Sequence, residues 1–443
     1  MLDKFFQKLE QVSPARYRWI FSHEGVKRYF ANTSWMFFGQ LLFLLLSFFI
    51  GAWIARYLRP AQYGVVSYVV AFAGLFSFIS ALGLDGILNR ELVKHPERRD
   101  ELLGTAFRLK IFGAAIAFTV VVLAAFIVPG GAESAGGGQP NYLRALIIMY
   151  SLSFFLQAPY VINTYFYSQV KAKESIKAQL AAAIISSLLK IGLILAGGGI
   201  IWLLVIYVLD SLWFTIFLAR FYRSQGFKIF TWRYRTELAK TLWRDSWPLM
   251  LSSAAAFIYL RIDQVMVGRM MGDSAVGIYA ASVKLTEIFY FIPGVICGSL
   301  FPAIVNARKT GREVYQGRLR NLYFLIGVLG LLVATPIALL SGPLVNFIFG
   351  VDYLAAAPVL RLYIWSSLGL FLGSVVYNQL TVENRTREIF RINLLAMVIN
   401  VGLNFYLIPR LGLIGAALAT LAAYSVAPLW LGGAAVWRRR DRV

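Results

Sequence analysis

Cysteine, histidine and charge are all scarce in this chain, and each shortage removes a class of function. A single cysteine and two histidines in 443 residues exclude disulfides, iron–sulfur clusters and thiolate zinc sites as internal features. His23 and His95 both fall in polar segments, which leaves no histidine metal cluster and no credible catalytic triad. Cys297 lies in an apolar run and reads as a small buried residue. No stretch fits GxxxxGKS or GxxxxGKT, so energy would come from an ion gradient or the substrate's own gradient rather than from bound ATP. Long polar loops are missing too. PGGAESAGGGQPN (129–141) is a Gly-rich link with nothing to catalyse, so the chain is not expected to be an enzyme. The stretch from Met1 to Phe30 lacks a signal-peptide pattern and reads as interfacial amphipathic segments.

What is abundant is apolar surface: 59% hydrophobic residues against 14% charged, too apolar for a soluble protein of this size. Segments of about 20 apolar residues, each long enough to cross a bilayer, recur along the chain. Twelve are expected, near 32–55, 64–88, 107–128, 142–165, 178–197, 200–222, 245–268, 276–303, 320–341, 358–381, 389–408 and 413–436. The excess of 43 Lys and Arg over 21 Asp and Glu follows topology. With a cytoplasmic N-terminus, 34 of the cations fall in inside segments and six in outside ones. The positive-inside rule thus puts both termini in the cytoplasm, and nucleic acid is not needed as a partner.

The longest inside connection divides the helices six and six. Ser34-Trp35 recurs as Ser246-Trp247, Arg56 followed by Gly64 as Arg269 followed by Gly277, and Lys171-Ala-Lys-Glu174 as Arg385-Thr-Arg-Glu388. Offsets of 212 to 214 predict a duplicated all-α polytopic membrane protein with twelve transmembrane helices in two six-helix bundles and a V-shaped central cavity. The expected parts are an interfacial segment (1–31), a first bundle (32–222), a cytoplasmic linker (223–244), a second bundle (245–437) and a basic tail (438–443).

Charges at bilayer depth cost roughly 2.5–3.5 kcal/mol each on insertion scales and normally face a protein interior or an aqueous cavity. Asp85, Lys190, Asp210, Arg261, Asp263, Lys284 and Glu287 lie in or near the expected spans. Lys284 and Glu287 share a helix face, whereas Arg261 and Asp263 diverge by about 160° at 100° per residue. One reading is mutual neutralisation, for example Arg261 with Glu287 or Asp263 with Lys284. The other is a cavity lining in which cations hold an anionic substrate and a carboxylate carries a proton or sodium ion. Asp85, between LGL and Gly86, is the weakest candidate because it sits near the inside surface. Aromatic clusters such as Tyr160 to Tyr167 suit core or lipid contact, or the stacking of sugar rings.

Glu383-Asn-Arg-Thr-Arg-Glu388 followed by INLLAMVINVGLNFYLIPRLGLIGAALAT (392–420) resembles the Wzx-type polysaccharide flippases of the multidrug/oligosaccharidyl-lipid/polysaccharide exporter superfamily. YLRPAQYGVVSY (57–68) and RIDQVMVG (261–268) look like that family's segments after helix one and in helix seven. The resemblance implies a flippase that moves undecaprenyl-pyrophosphate-linked oligosaccharide units across a bacterial cytoplasmic membrane by alternating access, for O-antigen, capsule or exopolysaccharide synthesis. It would hold no resident cofactor, would couple to H+ or Na+, and would work beside membrane lipids, polysaccharide polymerase and export proteins. Arg261, Lys284 and Lys190 are then expected at the headgroup, with Asp263, Glu287, Asp210 and Asp85 as coupling or ion-pair residues. The alternative within the superfamily is a cation-coupled multidrug antiporter.

Overall fold

The computed structural model describes the backbone of residues 24–127 and 140–440, and side chains over 35–127 and 141–430. The expected interfacial segment (apart from its last residues), most of the Gly-rich link and the side chains of the basic tail lie outside the described residues. Among the described residues every element is helical. The first half holds α1 (Glu24–Gly74), α2 (Ser77–Ala81), α3 (Leu84–Lys94), α4 (Arg99–Ile127), α5 (Pro140–Ser151), α6 (Ser153–Gln157), α7 (Val161–Ser168), α8 (Ala172–Leu195) and α9 (Ile200–Ser224). The second holds α10 (Thr236–Met271), α11 (Asp273–Glu287), α12 (Phe291–Thr310), α13 (Arg312–Leu339), α14 (Ser341–Phe349), α15 (Ala356–Tyr363), α16 (Ser366–Val382), α17 (Thr386–Leu411) and α18 (Leu413–Arg440).

Eleven helices among the described residues are long and apolar enough to cross a membrane. The sequence leads one to expect twelve, and the difference sits in α1. Its 51 residues would extend about 75 Å if straight, more than twice a hydrocarbon core of about 30 Å. Proline supplies the break: Pro60 lacks an N–H and pushes its predecessor off the α region, and Arg59 is non-helical at φ 58°, ψ 169°. That break lies in the gap expected between the first two spans. The span expected over 276–303 also bends, at Ile288–Tyr290 between α11 and α12.

Helix starts recur between the halves. α8 begins at Ala172 and α17 at Thr386, and α4 begins at Arg99 and α13 at Arg312, so both pairs keep the offset of the sequence repeat. Large apolar side chains on the outer surface, including Phe49, Phe112, Leu188, Trp202, Phe324, Phe347 and Phe405, are exposed. A bilayer gives such a surface its solvent.

The apolar core shows how the halves meet. One cluster is shared, joining Phe48–Leu75, Ala114–Ala125 and Leu143–Phe154 of the first half to Val265–Leu285 and Ala334–Ile364 of the second. Elsewhere the cores are separate: Leu82–Ala106, Val161–Ala178 and Leu218–Tyr222 form one, joined by Leu238 and Leu242 from the first turns of α10. Residues 297–427 form two more, wholly within the second half. The halves are therefore fused through a broad shared core at one end, while at the other the start of α10 reaches the first half, through Leu238, Leu242 and the Arg90–Asp245 pair. At the fused end, a Cβ on Gly64 would lie 1.7 Å from the Asp273 carbonyl oxygen, and one on Gly277 would lie 1.9 Å from that of Pro60. Only glycine permits backbones to approach so closely. Tyr353 Oη donates to the Ala55 carbonyl at 2.8 Å, and Arg56 reaches the Asn346 and Phe347 carbonyls across the same seam.

Candidate functional site

Where the shared core ends, one cavity opens between the halves, and a second adjoins it among first-half helices, closed by Lys284 of the second half. The first, about 390 Å³, takes Tyr63, Ser67, Tyr150, Tyr207, Asp210 and Ser211 from the first half, and Arg261, Gln264, Lys284 and Glu287 from the second. The second, about 450 Å³, is lined by Ser47, Gly51, Gln179, Ser186, Lys190 and neighbours. Tyr207, Asp210, Ser211 and Lys284 line both. Six of the seven expected residues thus divide simply: five face this compound cavity, and Asp263 does not.

The charges in the cavity are mostly paired. Arg261 meets Glu287 at 3.2 Å, as one of the two sequence readings has it. Lys190 Nζ donates to Asp210 at 2.7 Å and stands 4.5 Å from the centre of the Tyr207 ring, while Ser186 donates to the same carboxylate. Lys284 differs. Among the described residues it has no ion pair or hydrogen bond, and its Nζ lies against Gly51, where a Cβ would meet it at 1.7 Å. An ammonium from the second half therefore rests on a first-half helix that has no side chain to obstruct it. Two neutralised pairs and one unpaired cation leave the cavity with a local excess of one positive charge.

Asp263 lies elsewhere. The expected divergence from Arg261 is real, but pairing with Lys284 is not: Asp263 turns into the second half and is 2% exposed. Tyr279 Oη donates to it at 2.6 Å, Thr420 Oγ1 at 3.0 Å and the Gln264 N–H at 3.0 Å. These donors replace water around a buried carboxylate without supplying a cation. On α17, which packs along α10, Asn404 Nδ2 donates to Asn400 Oδ1 at 3.1 Å. Asn404 Oδ1 and Asn400 Nδ2 are buried with no partner.

Asp85 is the remaining expected residue, and its side chain is largely exposed. It pairs at 2.6 Å with Lys110, which is almost wholly buried, and it lines a third cavity of about 440 Å³ inside the first half. Sequence reasoning does not single out Lys110, Tyr150, Tyr207, Gln264 or Thr420. By sequence, Lys110 is one more inside cation. The others lie in apolar runs where polarity alone does not separate cavity wall from core.

Residues 53–358 match the family model described as polysaccharide biosynthesis protein. A Haloferax volcanii protein named as a low-salt glycan biosynthesis flippase is 22% identical over 91% of this chain and 81% of its own. A Shigella flexneri protein named as an O-antigen transporter is 22% identical over 88% of this chain and 93% of its own. Among solved structures, the inward-facing conformation of a multidrug resistance MATE family transporter of the MOP superfamily aligns with TM-score 0.71 at 15% identity, covering 88% of this chain and 93% of that one. The lipid II flippase MurJ in its inward closed conformation aligns with TM-score 0.66 at 15% identity, covering 89% and 86%. An outward-facing conformation of a MATE family transporter aligns with TM-score 0.58 at 16% identity, covering 91% and 94%.

Proposed function

The chain belongs to the polysaccharide biosynthesis protein family, and from that premise we propose that it is a flippase for lipid-linked oligosaccharides working by alternating access. The observation that carries this reading is Lys284, an unpaired cation at the junction of the halves between two neutralised ion pairs. A site of this kind favours an anionic headgroup over a cationic drug. The glycan and its phosphates enter the cavity while the prenyl tail remains in lipid; undecaprenyl pyrophosphate is the carrier we assign. Lys284 makes the first contact. Arg261 and Lys190 exchange their carboxylate partners for phosphate oxygens, leaving Glu287 and Asp210 to reclaim them on release. The basic loops face the cytoplasm, so fused cores at the other end correspond to an inward-facing state. That reading agrees with the higher likeness to the inward-facing transporter. Asp263 is the coupling residue, exchanging a proton or sodium ion within its hydroxyl-lined niche as the halves rearrange.

The test is transport in proteoliposomes carrying lipid-linked oligosaccharides extracted from the source cells, scored by exposure of the glycan to an impermeant modifying reagent. Wild-type protein is expected to expose it. Lys284→Ala and Arg261→Ala are expected to lower the rate by about 10- to 100-fold, the loss of one charge-assisted contact each, with unchanged thermal melts. Export of cationic dyes without glycan exposure would instead make the protein a drug antiporter.

A further inference from the structure

The third cavity is not used by the headgroup chemistry above. It opens between α2, α3, α4 and the segment 157–167, and its wall includes Asp85, Asn89, Lys110, Gln157, Asn163 and Tyr167. Tyr160 lines it as well and also lines the Lys190 cavity. The two spaces are therefore adjacent across one aromatic ring.

Its chemistry is unlike that of the central cavity. The only cation in its wall, Lys110, is buried and held by Asp85 at 2.6 Å, so no free positive charge is offered to a phosphate. One Asp85 oxygen takes Lys110 and Thr164, and the carboxylate is still largely exposed. Asn163 uses its carbonyl oxygen to accept from Ser175. Among the described residues, the side chains of Asn89, Gln157 and Tyr167 have no hydrogen-bond partner within the protein. The lining is thus an uncharged set of amide and hydroxyl groups, an acceptor carboxylate already balanced by its lysine, and two tyrosines. Its volume falls in the range of small-molecule pockets. An uncharged polyhydroxylated ring satisfies that combination: amides and the carboxylate bond to its hydroxyls, and the tyrosine faces cover its C–H surface.

We infer that this first-half cavity, centred on Asn89, Asp85, Asn163 and Tyr167, is a subsite for neutral sugar residues of the glycan, with Tyr160 marking its border with the headgroup site. The inference rests on the flippase reading. It divides recognition between the charged junction, which takes the lipid phosphates, and an uncharged chamber that takes sugars beyond the first.

The experiment uses the full chain in proteoliposomes with two probes: the extracted lipid-linked oligosaccharides, and the same lipids trimmed by exoglycosidases to the lipid-proximal sugar. The variants are Asn89→Ala and Tyr167→Ala, singly and together, because these side chains are partly exposed and bond to nothing in the protein. The double variant is expected to raise the half-saturating concentration for the intact lipid about tenfold, the equivalent of one or two hydrogen bonds. For the trimmed lipid it should stay within about twofold. Free glycan released from the lipid should compete with wild-type transport and about tenfold less well with the variant. Equal effects on both lipids, or no effect on either, would overturn the subsite while leaving the flippase intact. Wild-type protein that moves neither lipid would overturn both readings.

Discussion

The same two positions on equivalent helices have been given opposite tasks. On α8, Ser186 and Lys190 both reach Asp210 at the edge of the central cavity. At the matching positions of the repeat on α17, Asn400 and Asn404 bond to each other in full burial, leaving an oxygen and a nitrogen without partners. At this pair of positions the first half therefore presents charge to the cavity. The second conceals polar groups on α17, which packs along α10, the helix that carries the cation-free carboxylate Asp263. The second half's cavity charges, Arg261, Lys284 and Glu287, stand on α10 and α11 instead. A duplicated frame can tolerate either, because an intramembrane charge requires only a partner or a cavity. What separates the two repeat positions is which of those two each has.

The strongest way to break this comparison is to neutralise each carboxylate without changing its shape. Asp263→Asn is expected to lower ion-dependent transport by about 10- to 100-fold, as removal of a buried charged acceptor removes about 1.5–3 kcal/mol of interaction, and to abolish the response to an imposed ion gradient. Asp210→Asn keeps an oxygen for Lys190 and frees a cation for phosphate. It should stay within about threefold of wild type. Parallel flux assays with and without a gradient decide the matter, and equal losses would erase the distinction drawn here.

Much of this architecture is legible in the sequence, for physical reasons. Spans are visible because the bilayer demands apolar length, and buried charges because each is costly. The opposed directions of Arg261 and Asp263 follow from 100° per residue. Partners are less visible. Thr420 is remote in sequence from Asp263, and Lys110 stands in the polar leader of its span, so neither pairing leaves a local periodic signal. Proline marks both breaks: Pro60 follows Arg59, and Pro293 has no N–H for the Phe289 carbonyl, so the chain passes through i→i−3 bonds at Ile288–Tyr290.

The fused end allows a second contrast, between symmetric positions rather than divergent ones. Gly64 and Gly277 are counterparts in the repeat, and each abuts a carbonyl of the opposite half. Gly277→Ala cannot be accommodated without parting the seam. It is expected to move the population toward a state open at that end, and Gly64→Ala should do the same. With Cys297→Ala as background, labelling of Ser67→Cys by an impermeant maleimide added on that side should rise several-fold, a shift of about 1 kcal/mol in the equilibrium. Unchanged labelling in both variants would mean that the seam does not gate the cavity.

The smallest effect concerns the paired loops at the basic end. Lys171 holds Gln225 at 2.8 Å and Lys177 approaches Glu174 only at 3.5 Å. In the second half, Arg385 grips Glu388 with two nitrogens at 2.6 Å each and Glu383 at 2.9 Å. Lys177→Ala should therefore cost less than about 0.5 kcal/mol, and Arg385→Ala about 1–3 kcal/mol. Burial alone would push Glu383 up, but bonds from Arg385, Gln379 and Tyr315 to its carboxylate outweigh it and hold it below the ordinary glutamate range. A carboxylate depressed in the folded state stabilises at neutral pH, and that contribution fades as the pH drops through its folded value. Thermal melts of wild type and Arg385→Ala should consequently converge between about pH 6 and pH 3. A gap that persists at the acid end would mean that Arg385 acts by packing rather than by charge.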